Sequence, residues 1–127
     1  MVVHAETSQL GAGKASAGLD RTLLALADPT RRRVVELLRR RPQRAGDLAA
    51  ALSISAPRLS RHLRILRRSG LIEDRGIESD ARVRLYRLRP RQFSALRHWL
   101  EDVEAFWAVE LSSFKEHAER TRGRRRP

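Results

Sequence analysis

The chain has 127 residues, of which 27 are Lys or Arg and 15 are Asp or Glu, so its formal net charge at pH 7 is +12. This length suits one domain with one core, and the positive charge indicates a polyanionic partner such as nucleic acid. The sequence contains no cysteine, which excludes disulfides, thiolate metal sites and thiol-based redox sensing.

The N-terminal segment, residues 1–18, is rich in glycine and in small polar residues, which predicts a disordered arm. It lacks the basic-then-apolar order of a signal peptide, and no apolar run in the chain is long enough to span a bilayer. We therefore expect a cytoplasmic protein that has no membrane partner.

Three short helices are predicted after the arm. The first begins at Leu19, the second follows the capping sequence Asp28-Pro29-Thr30, and the third covers residues 45–52. The sequence Arg39-Arg40-Arg41-Pro42 ends the second helix, and its cations suit the negative end of the helix dipole. Each helix has an apolar face, so the three are expected to pack around a common core.

Residues 53–70 predict a helix that has one leucine face and one arginine face. Ser55 is a suitable N-cap, Pro57 falls in the first turn, and Gly70 suits the position after the helix end. One face carries leucine at intervals of four and three residues, and the remaining surface carries arginine: Leu59, Leu63, Leu66, and Arg58, Arg61, Arg64, Arg67, Arg68.

No acidic residue lies between Ser53 and Gly70. Unneutralised guanidinium groups on one short helix repel each other unless a polyanion lies beside them. This favours a helix that faces DNA over the alternative of a solvated surface helix, which usually mixes both signs of charge. Two helices joined by a short turn, the second one basic, form the helix-turn-helix pattern.

A β-hairpin is predicted after Gly70. Residues 71–75 and 82–88 have strand composition, residues 76–81 form a polar loop, and Pro90 ends the second strand. A hairpin in this place is the wing of a winged helix-turn-helix. The predicted fold class is therefore mainly α with a small β-hairpin wing.

A long helix is predicted over about residues 91–117. Apolar side chains recur on it at intervals of three and four residues, and further aromatic residues widen the stripe: Phe93, Leu96, Leu100, Val103, Trp107, Phe114, with Trp99, Phe106 and Leu111. Packing within its own domain accounts for part of this surface. The excess predicts a homodimer interface, shared with the first helix through Leu19 and Leu23.

Charge is divided along the chain in agreement with these roles. Residues 31–44 carry seven Arg and one Glu, whereas residues 101–119 carry six acidic residues and one Lys. Residues 118–127 are predicted to be a basic disordered tail, so the folded domain is expected to cover residues 19–117.

Three sequence elements together resemble the ArsR-type winged helix-turn-helix repressors. They are ADPTRR at residues 27–32, the pattern S-x-H-L-x-x-L-x-x-x-G-L-I at residues 60–72, and RLYRL at residues 84–88. The resemblance covers roughly residues 19–115, and it is greatest to the cysteine-free branch that has a long aromatic last helix. It implies a homodimeric bacterial transcriptional repressor that binds an imperfect palindrome in double-stranded DNA.

The family's recognition-helix pattern maps onto Ser55, Pro57, Ser60, Arg61, His62 and Leu63. This chain departs from it at Ala56, where the family often has Gln, and at Arg58, where a small residue is common. Charge and resemblance together predict DNA contacts in the helix and in the wing: Ser55, Pro57, Arg58, Ser60, Arg61, His62, Arg64, Arg68, Arg75, Arg82 and Arg84. Acidic residues of the wing, Glu73, Asp74, Glu78 and Asp80, are expected to keep its tip from phosphate.

Neither a cofactor nor a metal is expected. His98 and Asp102 lie one turn apart, but their spacing differs from the last-helix metal site that the resemblance implies, and they are interpreted as surface residues. The chain lacks a Gly-rich phosphate loop, a Cys nucleophile and a supported Ser/His/Asp set, so it is not predicted to be an enzyme.

Two alternatives stay open at this point. One is an architectural or RNA-associated basic protein that binds nucleic acid without sequence preference. The other is a sensor in which a small molecule or a protein effector binds the aromatic helix and DNA binding is the response.

Overall fold

A computed structural model of the chain describes residues 17–77 and 80–125. The chain divides into two compact units, one ending at Ala95 and the other beginning at Leu96. Among the described residues, the first unit contains four α-helices, a 3-10 helix and three strands, and the second consists of most of one long helix: α1 (17–26), α2 (Pro29–Arg40), β1 (Gln43–Arg44), α3 (Ala45–Leu52), α4 (Ala56–Arg68), β2 (Ile72–Ile77), β3 (Asp80–Leu88), the 3-10 helix (Pro90–Phe93) and α5 (Ser94–Arg125).

Helix α2 begins as its capping sequence predicts. The backbone amides of Thr30 and Arg31 donate to Asp28 Oδ1 at 2.8 and 3.1 Å, which satisfies two of the unpaired amides of the first turn. Arginines of α2 also cap the helix before it, because Arg31 Nε donates to the carbonyl of Ala25 at 2.6 Å. The guanidinium of Arg32 does the same at the carbonyl of Leu26, at 2.7 Å.

Both predicted ends of α4 are confirmed. Ser55 Oγ accepts from the amide of Arg58 at 3.3 Å. At the other end, Gly70 has a φ of +81°, a conformation that glycine adopts without the strain of a Cβ atom. The amide of Gly70 donates to Arg67 and that of Leu71 to Leu66, and this pair of bonds is a Schellman motif.

The three strands form one antiparallel sheet in the order β1-β3-β2. The sequence predicts a hairpin with a loop over residues 76–81. The predicted loop is longer than the observed one, because β2 continues to Ile77 and β3 begins at Asp80. The register shifts between Gly76 and Ile77, so a bulge lets the strands continue through a polar glycine-containing segment. The strand β1 was not predicted, because two residues carry no periodicity; it pairs with β3 through Gln43 and Tyr86.

The core of the first unit lies where the helices meet the sheet. Its fully buried residues come from α1, α2, α3, α4 and the start of the wing: Ala25, Val34, Leu38, Leu48, Leu59, Leu63, Leu66, Leu71 and Ile72. All three leucines of the predicted apolar face of α4 belong to this set, so burial of that face determines which side of the helix meets solvent.

The last helix is longer than predicted. It continues to Arg125, so the prediction of a disordered tail from residue 118 is wrong for residues 118–125. No proline or glycine occurs between Pro90 and Gly123, so the sequence contains no residue that would break the helix before Gly123. At the other terminus, residues 17 and 18 are helical rather than part of an arm.

The rest of the predicted arm, residues 1–16, and the last two residues of the predicted tail lie outside the described residues. Among the helices that are described, none combines the length and the apolarity needed to cross a bilayer.

Candidate nucleic-acid interface

The exposed side of α4 is a continuous cationic surface. Burial of its leucines directs the side chains of Arg58, Arg61, Arg64 and Arg68 into solvent, as predicted. None of these four forms an ion pair with a carboxylate in residues 17–77 and 80–125. Their charge is therefore available to an external anion, and the rigid helix holds them at fixed spacing.

The smaller predicted contacts of α4 lie beside the arginines. Pro57 and Ser60 are exposed near the helix start, where a recognition helix meets base edges. Ser55 is exposed as well, but its hydroxyl accepts the capping bond from Arg58. The sequence reasoning missed Ile65, which is 41% exposed on the arginine side. The rotation of 100° per residue, which places Ile65 close to Arg61, would have identified it.

His62, a predicted contact, lies away from the arginine face. Its side chain is only 13% exposed, and its Nδ1 is 4.0 Å from Asp28 Oδ1. The same nitrogen lies 3.4 Å from Nη1 of Arg31. His62 thus joins α4 to the start of α2 and does not add to the arginine face.

Asp74 of β2 links the wing to α4. Its side chain is 7% exposed and accepts from Arg84 Nε of β3 at 2.5 Å and from Arg67 Nη1 of α4 at 3.4 Å. The hydrogen bond from Arg84, together with the charges of both guanidiniums, holds the pKa of Asp74 below its usual range despite burial. The same bond raises the pKa of Arg84. The predicted DNA contact Arg84 is therefore already paired within the protein.

A second cluster of charge surrounds Glu73, the residue before Asp74. Its carboxylate accepts from Arg87, and Arg75 and Arg89 approach it at 3.9 and 3.8 Å. The bond from Arg87 lowers the pKa of Glu73. Predicted wing contact Arg75 therefore has a carboxylate neighbour although its side chain is 70% exposed, and Arg82 is exposed as well.

Glu73 lies directly opposite Arg87 in the sheet, and Asp74 lies opposite Tyr86 and reaches Arg84 two residues along β3, so both carboxylates neutralise arginines in the body of the wing. Of the other two predicted acidic residues, Glu78 and the side chain of Asp80 lie outside the described part of the chain. The charge balance of the wing could not be found from sequence, because strand register decides which carboxylate meets which guanidinium.

Helix α5 exposes large apolar residues. Trp107 is 57% exposed, Phe106 61% and Phe114 72%, and the rings of Phe106 and Trp107 meet edge to face with centroids 6.1 Å apart. Of the other predicted dimer contacts, Leu23 and Leu100 are exposed, and three are half-buried: Leu19, Leu96 and Val103. Phe93 lies in the 3-10 helix rather than in the long helix in which it was predicted, and its half-buried side chain packs against the core of the first unit.

His98, a possible metal ligand of α5, lies beside a carboxylate of its own helix. His98 Nδ1 lies 3.7 Å from Glu101 Oε2, and both side chains are mostly exposed. Over residues 17–77 and 80–125, no group of three or more His, Cys, Asp or Glu side chains is placed to hold a metal ion.

Comparison with known proteins gives consistent matches. The profile of the family described as "Bacterial regulatory protein, arsR family" matches residues 28–74, from the cap of α2 to Asp74. The HTH-type transcriptional regulator Rv2034 of Mycobacterium tuberculosis is 39% identical over 95 residues, which cover 75% of this chain and 83% of that protein. The transcriptional repressor SdpR of Bacillus subtilis is 44% identical over 50 residues, covering 39% of this chain and 56% of that protein.

Solved structures agree with these matches. The ArsR-like transcriptional regulator from Rhodococcus sp. RHA1 has a TM-score of 0.68 to this chain and 31% identity, and the match covers 81% of this chain and 92% of that one. A second solved structure, the ArsR family transcriptional regulator RHA00566, has a TM-score of 0.65 and 31% identity, covering 73% and 93%. The chain thus combines a winged helix-turn-helix fold and a cationic α4 with similarity to proteins that are named as transcriptional regulators.

Proposed function

Since this chain belongs to the ArsR family of bacterial regulatory proteins, and is therefore a DNA-binding transcriptional regulator rather than an enzyme, we propose that it is a dimeric repressor of an imperfect palindrome. The observation that carries the proposal is the exposed face of α4, with four arginines that have no carboxylate partner among the described residues. Two copies of α4 in one dimer would enter successive major grooves of the same DNA face.

The proposal divides the work along α4. Arg58, Ser60, Arg61 and Arg64 occupy the first two and a half turns, the part of a recognition helix that reaches base edges. Arg68 lies in the last turn and would bind backbone phosphate. Guanidinium groups suit both tasks, because they pair bidentately with guanine and with phosphate.

The wing would add backbone contacts through its arginines. The side chains of Arg75, Arg82 and Arg84 are all exposed, and Glu73 and Asp74 lie beside Arg75 and Arg84. We therefore assign phosphate binding to the three arginines together, and the two carboxylates reduce the charge that Arg75 and Arg84 offer.

The proposed dimer uses the apolar side chains on the side of α5 that carries Leu100, Trp107 and Phe114, together with Phe106 beside them and with Leu19 and Leu23 of α1. A monomer in water would leave Phe106, Trp107 and Phe114 more than half exposed, which is unfavourable for large aromatic residues. A second copy of this chain supplies the same apolar surface in return, as a two-fold interface requires.

The test begins with selection of bound sequences from random duplex DNA, followed by titration of the selected duplex and of a scrambled duplex. We expect Arg58→Ala to weaken binding to the selected duplex by about 1–3 kcal/mol and to relax preference at one base position. Arg68→Ala should weaken both duplexes alike and reduce the salt dependence. Arg33→Ala, an exposed arginine of α2, is the control.

If each α4 variant loses as much affinity for the scrambled duplex as for the selected duplex, the division between base and phosphate contacts is wrong. If selection enriches no sequence, and affinity depends only on salt, the chain is a non-specific nucleic-acid coat and the repressor proposal fails.

A further inference from the structure

An apolar groove lies in the first unit, where the end of α2 meets the end of β3 and the 3-10 helix. Its volume is about 590 Å³, within the range of about 300–1,000 Å³ typical of small-molecule sites. The floor is made of aliphatic and aromatic side chains, and the half-buried ring of Phe93 forms one end: Val35, Leu38, Leu88 and Phe93.

The rim of this groove is cationic. Arg39, Arg40 and Arg41 line it from the end of α2, and Arg39 is engaged by Glu36 at 3.5 Å. Arg40 and Arg41 form no ion pair within the part of the chain that the structure describes. Arg41 is the C-cap of α2 and has extended backbone, with φ −168° and ψ 158°.

We propose that the groove binds a small apolar molecule that carries one carboxylate. The hydrocarbon part would cover Val35, Leu38 and Leu88, and the carboxylate would pair with Arg40 and Arg41. Guanidinium and carboxylate groups pair with two parallel hydrogen bonds, and a nearby apolar floor strengthens such a bond by excluding water.

The apolar floor separates this site from a DNA contact. A DNA phosphate binds exposed cations, such as those on α4, and it has no apolar group that could pack against Leu38 or Phe93. An amphiphilic anion uses both parts of the groove at once, so the combination of rim and floor favours a small carboxylate over a polyanion.

The regulatory consequence rests on the proposed function. Strand β3 begins at the wing and ends in the groove, and it carries both Arg84 and Leu88. A molecule bound at Leu88 therefore contacts the strand that positions the wing, and we assign it the role of an effector of DNA binding.

Octanoate is the test compound, and octan-1-ol is the uncharged compound of the same chain length. Titration of the full isotope-labelled chain without DNA, followed by NMR, should give saturable shifts at Leu38, Leu88 and Phe93 with octanoate. Loss of the paired charge should make octan-1-ol about tenfold weaker or more. Arg41→Ala should weaken octanoate by a similar factor and leave octan-1-ol unchanged.

Arg33→Ala is the matched control, because it removes an exposed arginine of α2 that does not line the groove. Equal losses for Arg33→Ala and Arg41→Ala, equal binding of the acid and the alcohol, or shifts confined to other residues would each overturn the site. Binding is measured without DNA, so a chain that binds octanoate but selects no DNA keeps this site and loses the repressor function.

Discussion

Asp74 lies where the wing and the recognition helix meet, and it engages one arginine from each. A carboxylate in this place both orients Arg84 and Arg67 and reduces the positive charge that those groups offer to phosphate. A charged group that is 7% exposed must be paired to be tolerated, so this residue belongs to the fold as much as to the interface.

Replacement of Asp74 by asparagine should therefore have opposite effects on stability and on non-specific binding. We expect Asp74→Asn to lower the free energy of unfolding by about 1–3 kcal/mol, because two charge-assisted bonds weaken. Binding to scrambled duplex should rise, with a salt dependence steeper by about one to two charges, since the guanidiniums become free for phosphate. Urea denaturation and salt-dependent titration measure the two effects.

Glu36→Gln is the control for this variant. It removes an exposed pair with Arg39, both side chains being more than 60% exposed, and should change stability by less than about 0.5 kcal/mol. Equal behaviour of the two variants would mean that Asp74 contributes no more than a surface charge.

The lowered pKa of Asp74 also predicts a dependence of stability on pH. An aspartate with a folded-state pKa below its usual 3.8 stabilises the fold above that value, and this stabilisation is lost as the pH falls through the folded-state pKa. Urea midpoints of the natural chain should therefore fall more steeply below about pH 4 than those of Asp74→Asn. Parallel curves would show that other carboxylates control the acid limb.

At the scale of single elements, α4 depends on the glycine that ends it. Gly70 has a φ of +81°, and a Cβ atom there would lie 3.4 Å from Oε1 of Gln92. We expect Gly70→Ala to lower the free energy of unfolding by about 1 kcal/mol, mainly through backbone strain.

Gly46→Ala in α3 has open space around its Cβ and should instead raise the free energy of unfolding by up to about 1 kcal/mol. Thermal or urea denaturation gives both values, and a neutral Gly70→Ala would contradict the strain argument.

The elements of the first unit could be predicted because their signals are local. Caps at Asp28, Ser55 and Gly70 define helix ends, and the leucine spacing of α4 defines its buried side. Features that depend on pairing over a distance could not: the strand at residues 43–44 exists only because β3 lies beside it. The link from Asp74 to Arg67 and Arg84 likewise depends on register and on how the wing packs against α4.

The end of α5 was missed for a different reason. Arg-rich composition suggested a solvated tail beyond residue 117, but arginine is a good helix former and no breaker precedes Gly123. Composition alone therefore predicted a helix end at residue 117, where the sequence contains no residue that ends a helix.

At the scale of the whole molecule, the exposed aromatic residues of α5 predict the oligomeric state. Trp107→Glu would place a carboxylate in the proposed interface, and we expect it to be monomeric at micromolar concentration and to bind the selected palindrome much more weakly. Sedimentation and titration on the selected duplex measure the two outcomes.

Val109→Glu is the matched control, because Val109 is 64% exposed and lies about 200° around the helix from Trp107. It should remain dimeric. A Trp107→Glu variant that is still dimeric would show that this face of α5 is not the interface.

The net charge of +12 does not show which of the cations are placed to meet DNA. The side chains of Arg31 and Arg32 are bonded to the last carbonyls of α1, and those of Arg84 and Arg87 to carboxylates of the wing. We therefore expect the salt dependence of binding to reflect the free arginines of α4 rather than the total of +12.

Arg31 of α2 contacts both α1 and α4. One guanidinium holds the carbonyl of Ala25 in α1, at 2.6 Å, and approaches His62 of α4, at 3.4 Å. If α1 joins two copies, as proposed, this side chain connects the dimerisation helix to the recognition helix within the first unit. We then expect the two recognition helices to meet half-sites at one separation. One base pair inserted at the centre of its palindrome should therefore be rejected as firmly as a wrong base.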